Sequence, residues 1–413
     1  MKKSAFSLLC LAAFQTAAAD LPPTGEVKQA LENTPLVRAA ASGIAMEGAN
    51  EDRMKAGPYE YSVQMTGDQR RDDVLRQTLN EWSLQVTRPV RLPGKAGLDR
   101  EIGRQGVEAA RIAHGDSLHE AARTLLRMWF GWVREKVQES EWNTQARLLE
   151  EEVAVVEKRV RAGDAPRLEL NLARAAADQA KFSELQAEMK EKVAAKVLAA
   201  NFPEIVLPGN ADLGDPSPID ESMAFWSEKI LVHNHAIKLA ESQAEQARLL
   251  AKKSREDAVP DPTVGVNYSS EYGGSQRVMG GIISFPLPGS YRKATAASAA
   301  ASAEMALQRA ADARRKVEGE ISANYITAKA SYNGWEKSRE AAMGMTRNAK
   351  LVSTAYALGE ASLSELLAAR RLSIESQLAS RLAQVDALET HYRLMVDAHM
   401  LWDFDEGDNT RQP

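Results

Sequence analysis

The residues with the reach for metal or proton chemistry are six histidines, one cysteine and a dense set of carboxylates. His233-x-His235 has the composition of a metal pair, but a spacing of two puts the imidazoles on different faces of a helix, as in a solvated polar pair. His114, His119, His391 and His399 form no ligand cluster. No nucleophile with a paired base and no phosphate loop occurs, so no catalytic residue, metal site or cofactor is expected. Trp129-Phe130-Gly131-Trp132 could stack on a ligand, yet its helical spacing fits core packing better, and Glu150-Glu151-Glu152 reads as a solvated face. What stands out is a pattern written twice. Gly163-x5-Glu169-x3-Ala173-Arg174 recurs as Gly359-x5-Glu365-x3-Ala369-Arg370. On their own, such carboxylates are first-turn acids favoured by a helix dipole.

The elements that must position this pattern are also duplicated. The alignment runs without a gap from Arg161 and Ala357 and places Trp129 on Tyr325 and Val156 on Val352; Arg91-Leu92-Pro93-Gly94 matches Pro286-Leu287-Pro288-Gly289. Each half reads as a helix, two strand-like runs, a very long helix, a turn and a further helix. Residues 20–200 form the first repeat, with a β-hairpin at about 57–93, and residues 221–402 the second, with a β-hairpin at about 262–288. Between them, 201–220 carries Pro203, Pro208, Pro216 and Pro218 and reads as a connector. Tyr59, Tyr61, Val63 and Met65 alternate with polar residues, as do Trp82, Leu84 and Val86, and Val264, Val266 and Tyr268. Each run approaches the length of a tilted strand crossing a bilayer, with Gly67–Gln77 and Glu271–Arg277 as the intervening loops. No proline interrupts about 97–162 or 290–358, stretches that span about 100 Å if helical throughout. Leu149, Val153, Val156 and Val160, and Val385, Leu388, Tyr392 and Met395, form narrow coiled-coil seams. Seams this narrow call for further helices as neighbours.

Composition agrees with a mainly α chain carrying a small β part. Of 413 residues 44% are hydrophobic but only 6% aromatic, and a net charge of −5 argues against nucleic acid as a partner. No apolar run reaches the length of a helical membrane span, and a β-barrel leaves almost no compositional mark. Lys2-Lys3, the apolar run 5–14 and Thr16-Ala17-Ala18-Ala19 before Asp20 make 1–19 a signal peptide, cleaved after Ala19. Cys10 lies within it behind Leu8-Leu9, a context that does not favour lipidation, and the mature chain then has no cysteine. The polar tail 403–413 is expected to be disordered.

The doubled glycine–glutamate–arginine pattern, the paired strands before each long helix and the export signal together resemble the TolC-like outer membrane factor family over about residues 25–402. Residues 56–61, 91–95 and 284–288 are most similar to its heavy-metal (cobalt-zinc-cadmium type) efflux branch. The resemblance implies a homotrimer in which four strands per chain close a twelve-stranded barrel in the outer membrane and the helices form a periplasmic tunnel. It implies an outer membrane channel subunit of a tripartite efflux system exporting small solutes, divalent heavy-metal cations among them. A periplasmic adaptor and an inner-membrane pump of the resistance-nodulation-division type are the implied partners, with outer membrane lipid around the barrel. The alternative is an adaptor-like or other soluble coiled-coil scaffold, against which the internal duplication counts.

By the same resemblance Gly163, Asp164, Gly359 and Glu360 are hairpin tips that meet the adaptor, and Glu169 and Glu365 form a constriction ring that gates the periplasmic mouth. The family's second carboxylate, three residues on, is Ala368 here. Tyr59, Tyr61, Trp82, Tyr268 and Phe285 are expected in or beside the membrane strands as an aromatic girdle.

Overall fold

The computed structural model describes residues 20–402; the expected signal peptide and tail lie outside them. Both halves have the same order of elements and nearly the same lengths. The first half runs α1 (Thr24–Asn33), α2 (Pro35–Ala56), β1 (Ser62–Asp72), β2 (Gln77–Pro89), α3 (Lys95–Ala162) and α4 (Arg167–Asn201). The second runs α5 (Met223–His233), α6 (His235–Glu256), β3 (Thr263–Glu271), β4 (Gln276–Ser284), α7 (Ser290–Ala357) and α8 (Leu363–Asp397). Helices α3 and α7 each have 68 residues and α4 and α8 each have 35, so the duplication extends to whole helices.

The structure departs from the expected outline at several points. The single helix expected at the start of each half is two. Pro35, which has no N–H to donate, opens α2, and Asn234 caps α6 by accepting the Ile237 N–H at 2.9 Å. His233 and His235 therefore sit on different helices, and His235 is buried with its ring 6.3 Å from His119 rather than solvated. Strand β1 begins after Tyr59 and Tyr61 and continues to Asp72, through residues expected as loop. Backbone pairing continues past the apolar positions, down to Asp72 opposite Gln77, because ladder hydrogen bonds do not depend on side-chain polarity. Glu152 is buried, paired with Arg370 at 2.8 Å, while Glu150 and Glu151 are exposed.

The chain separates into two compact units, each drawn from both halves. Among the described residues, one gathers 20–31, 122–223 and 323–402; the other gathers 32–121 and 224–322. The first unit buries Trp129, Phe130 and Trp132, each no more than 2% exposed, as core residues of α3. The second holds the sheet, four antiparallel strands in the order β1-β2-β3-β4. No helix among the described residues is long and apolar enough to cross a membrane.

Candidate functional site

Two regions carry the residues singled out in the sequence. The first lies in the first unit, where α3 turns into α4 and α7 into α8. Gly163 and Gly359 adopt φ of 84° and 80°, a left-handed conformation that costs glycine least. Each turn closes on the same pair of hydrogen bonds. Gly163 N–H reaches Val160 O at 3.2 Å and Asp164 N–H reaches Arg159 O at 2.9 Å; Gly359 N–H reaches Tyr356 O at 3.0 Å and Glu360 N–H reaches Ala355 O at 2.8 Å. These are Schellman turns, which satisfy carbonyls that a helix end leaves without partners. Asp164 and Glu360 are exposed beside their glycines.

Beneath the turns, Val156, Ala173, Tyr356, Leu363 and Leu366 pack as one cluster, so the hairpins of both repeats share a core. Glu169 and Glu365, equivalent in sequence, diverge here. Ser362 begins α8 as N-cap, and its hydroxyl accepts the Glu365 N–H at 3.2 Å. The Glu365 carboxylate takes the Ser362 N–H at 2.7 Å and its hydroxyl at 2.9 Å, completing a capping box. The corresponding residue before α4 is Pro166, which has neither hydroxyl nor N–H. Glu169 is therefore free to reach across, and accepts the Tyr356 phenol at 3.2 Å from the other hairpin. Arg159 lies over the Tyr356 ring at 4.9 Å. Arg174 reaches only the half-exposed Glu157, whereas Arg370 makes the buried pair with Glu152.

The capping box fixes a pH response. The Ser362 N–H, and secondly its hydroxyl, hold the Glu365 carboxyl below its usual value. A depressed carboxyl stabilises the folded state fully above about pH 5 and loses that contribution as pH falls through the folded pKa. Ser362→Ala keeps the backbone N–H but loses the hydroxyl, and is expected to reduce this part of the acid dependence of stability and, as a lost N-cap, to cost about 1 kcal/mol. Thermal unfolding between pH 3 and 7 checks both.

The second region is the sheet. Its register places Val63, Val86, Val266 and Gly281 in one cross-strand row and Met65, Leu84, Tyr268 and Met279 in the next, all on one face. Arg88, Val264 and Ile283 adjoin on one side; Trp82 adjoins on the other, with its ring 5.6 Å from that of Tyr268. The apolar face is bare: Val63, Met65, Met279 and Ile283 are 66%, 74%, 79% and 67% exposed. The opposite face carries Gln64, Gln85 and Asn267 in one row and Thr66, Ser83 and Ser269 in another, with Val278 and Ile282 of β4 as its apolar members. Among the described residues, strands β1 and β4 each leave one edge without a strand partner. Of the expected girdle, Trp82 and Tyr268 lie in strands. Tyr61 precedes β1 beneath Arg88, and Phe285 follows β4 with 67% exposure. Tyr59 lies outside the sheet, with Arg91 over its ring at 4.6 Å and its phenol donated to Asp261 at 2.8 Å.

No family model matches the chain, and no curated protein does. Solved structures do. The Campylobacter jejuni CmeC outer membrane channel superposes with a TM-score of 0.74 at 14% identity, over 92% of this chain and 85% of its own. The fold is that of an outer membrane channel. CusC, solved in a study of folding and transmembrane channel formation, gives 0.75 at 16% identity over 91% of both chains. The open state of the Neisseria gonorrhoeae MtrE outer membrane channel gives 0.70 at 17% identity, over 91% and 88%. These neighbours are channels, not enzymes.

Sequence reasoning missed Tyr356, Pro166 and the Glu152–Arg370 pair. The Ser362-x-x-Glu365 spacing of a capping box was legible. The partner Tyr356 was not, because it comes from the other repeat.

Proposed function

We propose that this chain is the outer membrane channel subunit of a tripartite efflux system. Three copies close their sheets into a twelve-stranded barrel, and the helices continue as a periplasmic tunnel. The observation that carries this reading is the two-faced sheet. Its bare apolar face suits lipid, its polar face suits an aqueous lumen, and its two unpaired edges cannot stand open in a bilayer, so neighbouring copies must cover them. The exposed stripe Leu185, Met189, Val193 and Val197 on α4 supports helical neighbours as well. Cleavage after Ala19 delivers an unlipidated chain to the outer membrane. A periplasmic adaptor meets the turns at Gly163, Asp164, Gly359 and Glu360, and an inner-membrane pump of the resistance-nodulation-division type drives export of small solutes. Divalent heavy-metal cations are among the proposed cargo, on the branch resemblance of residues 56–61, 91–95 and 284–288. Fractionation of expressing cells tests the reading: detergent-extracted trimers in outer membranes are expected, and recovery wholly in the soluble periplasm rejects it.

Within this channel, Glu169 and Glu365 line the periplasmic constriction as a ring of like charge that selects cations. Their unlike bonding gives them unlike roles: Glu169 ties the two hairpins together through Tyr356, while Glu365 is held within its own helix. Glu169→Ala with Glu365→Ala is expected to raise single-channel conductance in planar bilayers and weaken cation selectivity. Tyr356→Phe alone reproduces part of the rise in conductance. Unchanged conductance and selectivity in the double variant removes the ring from the mechanism.

A further inference from the structure

The segment 202–222 between α4 and α5 forms no helix or strand, yet it is held along its whole length. Phe202, Ile205 and Ile219 bury their side chains to 2%, 5% and 6% exposure. Side chains from both ends of the chain take up its backbone groups. Glu26 accepts the Val206 N–H at 3.3 Å, Gln384 donates to Gly214 O at 2.8 Å, and the Tyr325 phenol donates to Glu221 O at 3.2 Å. Arg339 pairs with Asp215 at 3.1 Å.

Asp20 draws these ties together. One carboxylate oxygen accepts the Gly214 N–H at 2.7 Å, the other accepts the Tyr392 phenol at 3.0 Å, and its backbone carbonyl accepts the Trp129 indole N–H at 2.7 Å. Asp20 is 8% exposed, and Phe130 stacks on the Tyr392 ring at 5.9 Å. One residue thus bonds the inter-repeat segment, α3 and α8, all within the first unit. Neither its burial nor these bonds are needed for the channel reading.

We infer that 202–222 is a strap across α7 and α8, and that Asp20 is the clasp that fastens it to α3 and the end of α8. A buried carboxylate takes two donors here that would otherwise lack partners, so losing it opens strap and helix together. Burial, and then the Asp20 charge, push the Tyr392 phenol upward, which keeps it a donor into the alkaline range. The clasp also bears on maturation. Removal of a leader after Ala19 leaves Asp20 in place, whereas a cut one residue further on deletes the clasp.

Hydrogen exchange followed by mass spectrometry on the full-length protein in detergent tests the inference. Asp20→Ala is expected to speed exchange at least tenfold in peptides covering 206–215 and in α8 around Tyr392, with the turns at Gly163 and Gly359 unchanged. Tyr392→Phe preserves the ring packing, serves if the aspartate variant does not fold, and gives a smaller, several-fold acceleration at the same places. A mature chain starting at Leu21 behaves as Asp20→Ala. Wild-type exchange at Gly214 in either point variant, or acceleration spread evenly over all helices, overturns the clasp.

Discussion

Lys95→Met is expected to destabilise the protein by about 3–5 kcal/mol, the cost of stripping one partner from a buried ion network. Lys95 opens α3 directly after the sheet, and its side chain is 5% exposed. Its ammonium lies 3.0 Å from Asp261, 3.3 Å from Asp257 and 2.7 Å from the Val259 carbonyl. Asp261 also takes the Leu92 N–H at 3.0 Å and the Tyr59 phenol, so one carboxylate ties together the approaches to β1, α3 and β3. Lys253 bridges Asp257 at 2.7 Å and Asp99 at 3.4 Å, and Asp99 faces Arg91 at 3.5 Å. Methionine fills much of the lysine stem's volume but supplies no charge, and leaves Asp257 and Asp261 close together and undercompensated. Adding Asp261→Asn relieves that repulsion while keeping an acceptor for Leu92. The double variant is therefore expected to lose less than the sum of the single losses. Denaturant titrations of the purified protein, read by helical circular dichroism, measure all three. Strict additivity, or a loss below about 1 kcal/mol for Lys95→Met, removes the network from the stability of the sheet–helix junction.

The second large effect separates the two faces of the sheet. Leu84 and Gln85 are neighbours in β2, with the same strand and nearly the same depth. Leu84 sits between Met65 and Tyr268 on the apolar face, and Gln85 between Gln64 and Asn267 on the polar one. If the apolar face meets hydrocarbon, Leu84→Arg costs about 2–4 kcal/mol, whereas a lumenal substitution tunes selectivity with little loss of stability. Folded yield in outer membranes and denaturant titration in phosphatidylcholine vesicles are expected to show a severe defect for Leu84→Arg and near-normal folding for Gln85→Arg. Equal losses, or the reverse order, dissociate the apolar face from lipid.

Much of this architecture is written in local patterns. The alternation from Val63 to Met65 and from Trp82 to Val86 gives strands whose faces survive into the three-dimensional register, because a period of two fixes which side each residue takes. The long proline-free stretches become α3 and α7 almost residue for residue, and Gly163 and Gly359 mark their ends because a left-handed residue stops a helix. What escaped was nonlocal. Nothing around Lys95 announces that its partners lie more than 160 residues away at Asp257 and Asp261. Glu152 sits in a run of three acids that looks solvated, and only the fold brings Arg370 to it. Asp20 appeared as a residue after a cleavage point, and its three hydrogen-bond partners come from three separate stretches of the chain.

The unequal bonding of Glu169 and Glu365 has a consequence for symmetry. In the trimer proposed above, two repeats of the same element order in each copy would place six similar hairpins around the axis, a pseudo-sixfold mouth. Pro166 and Ser362 break that equivalence. Around the ring, carboxylates locked into their own helix would alternate with carboxylates held by a neighbouring hairpin's phenol. The mouth would then open in threes, the alternate hairpins released when the Tyr356 bond gives way, rather than dilating evenly like an iris.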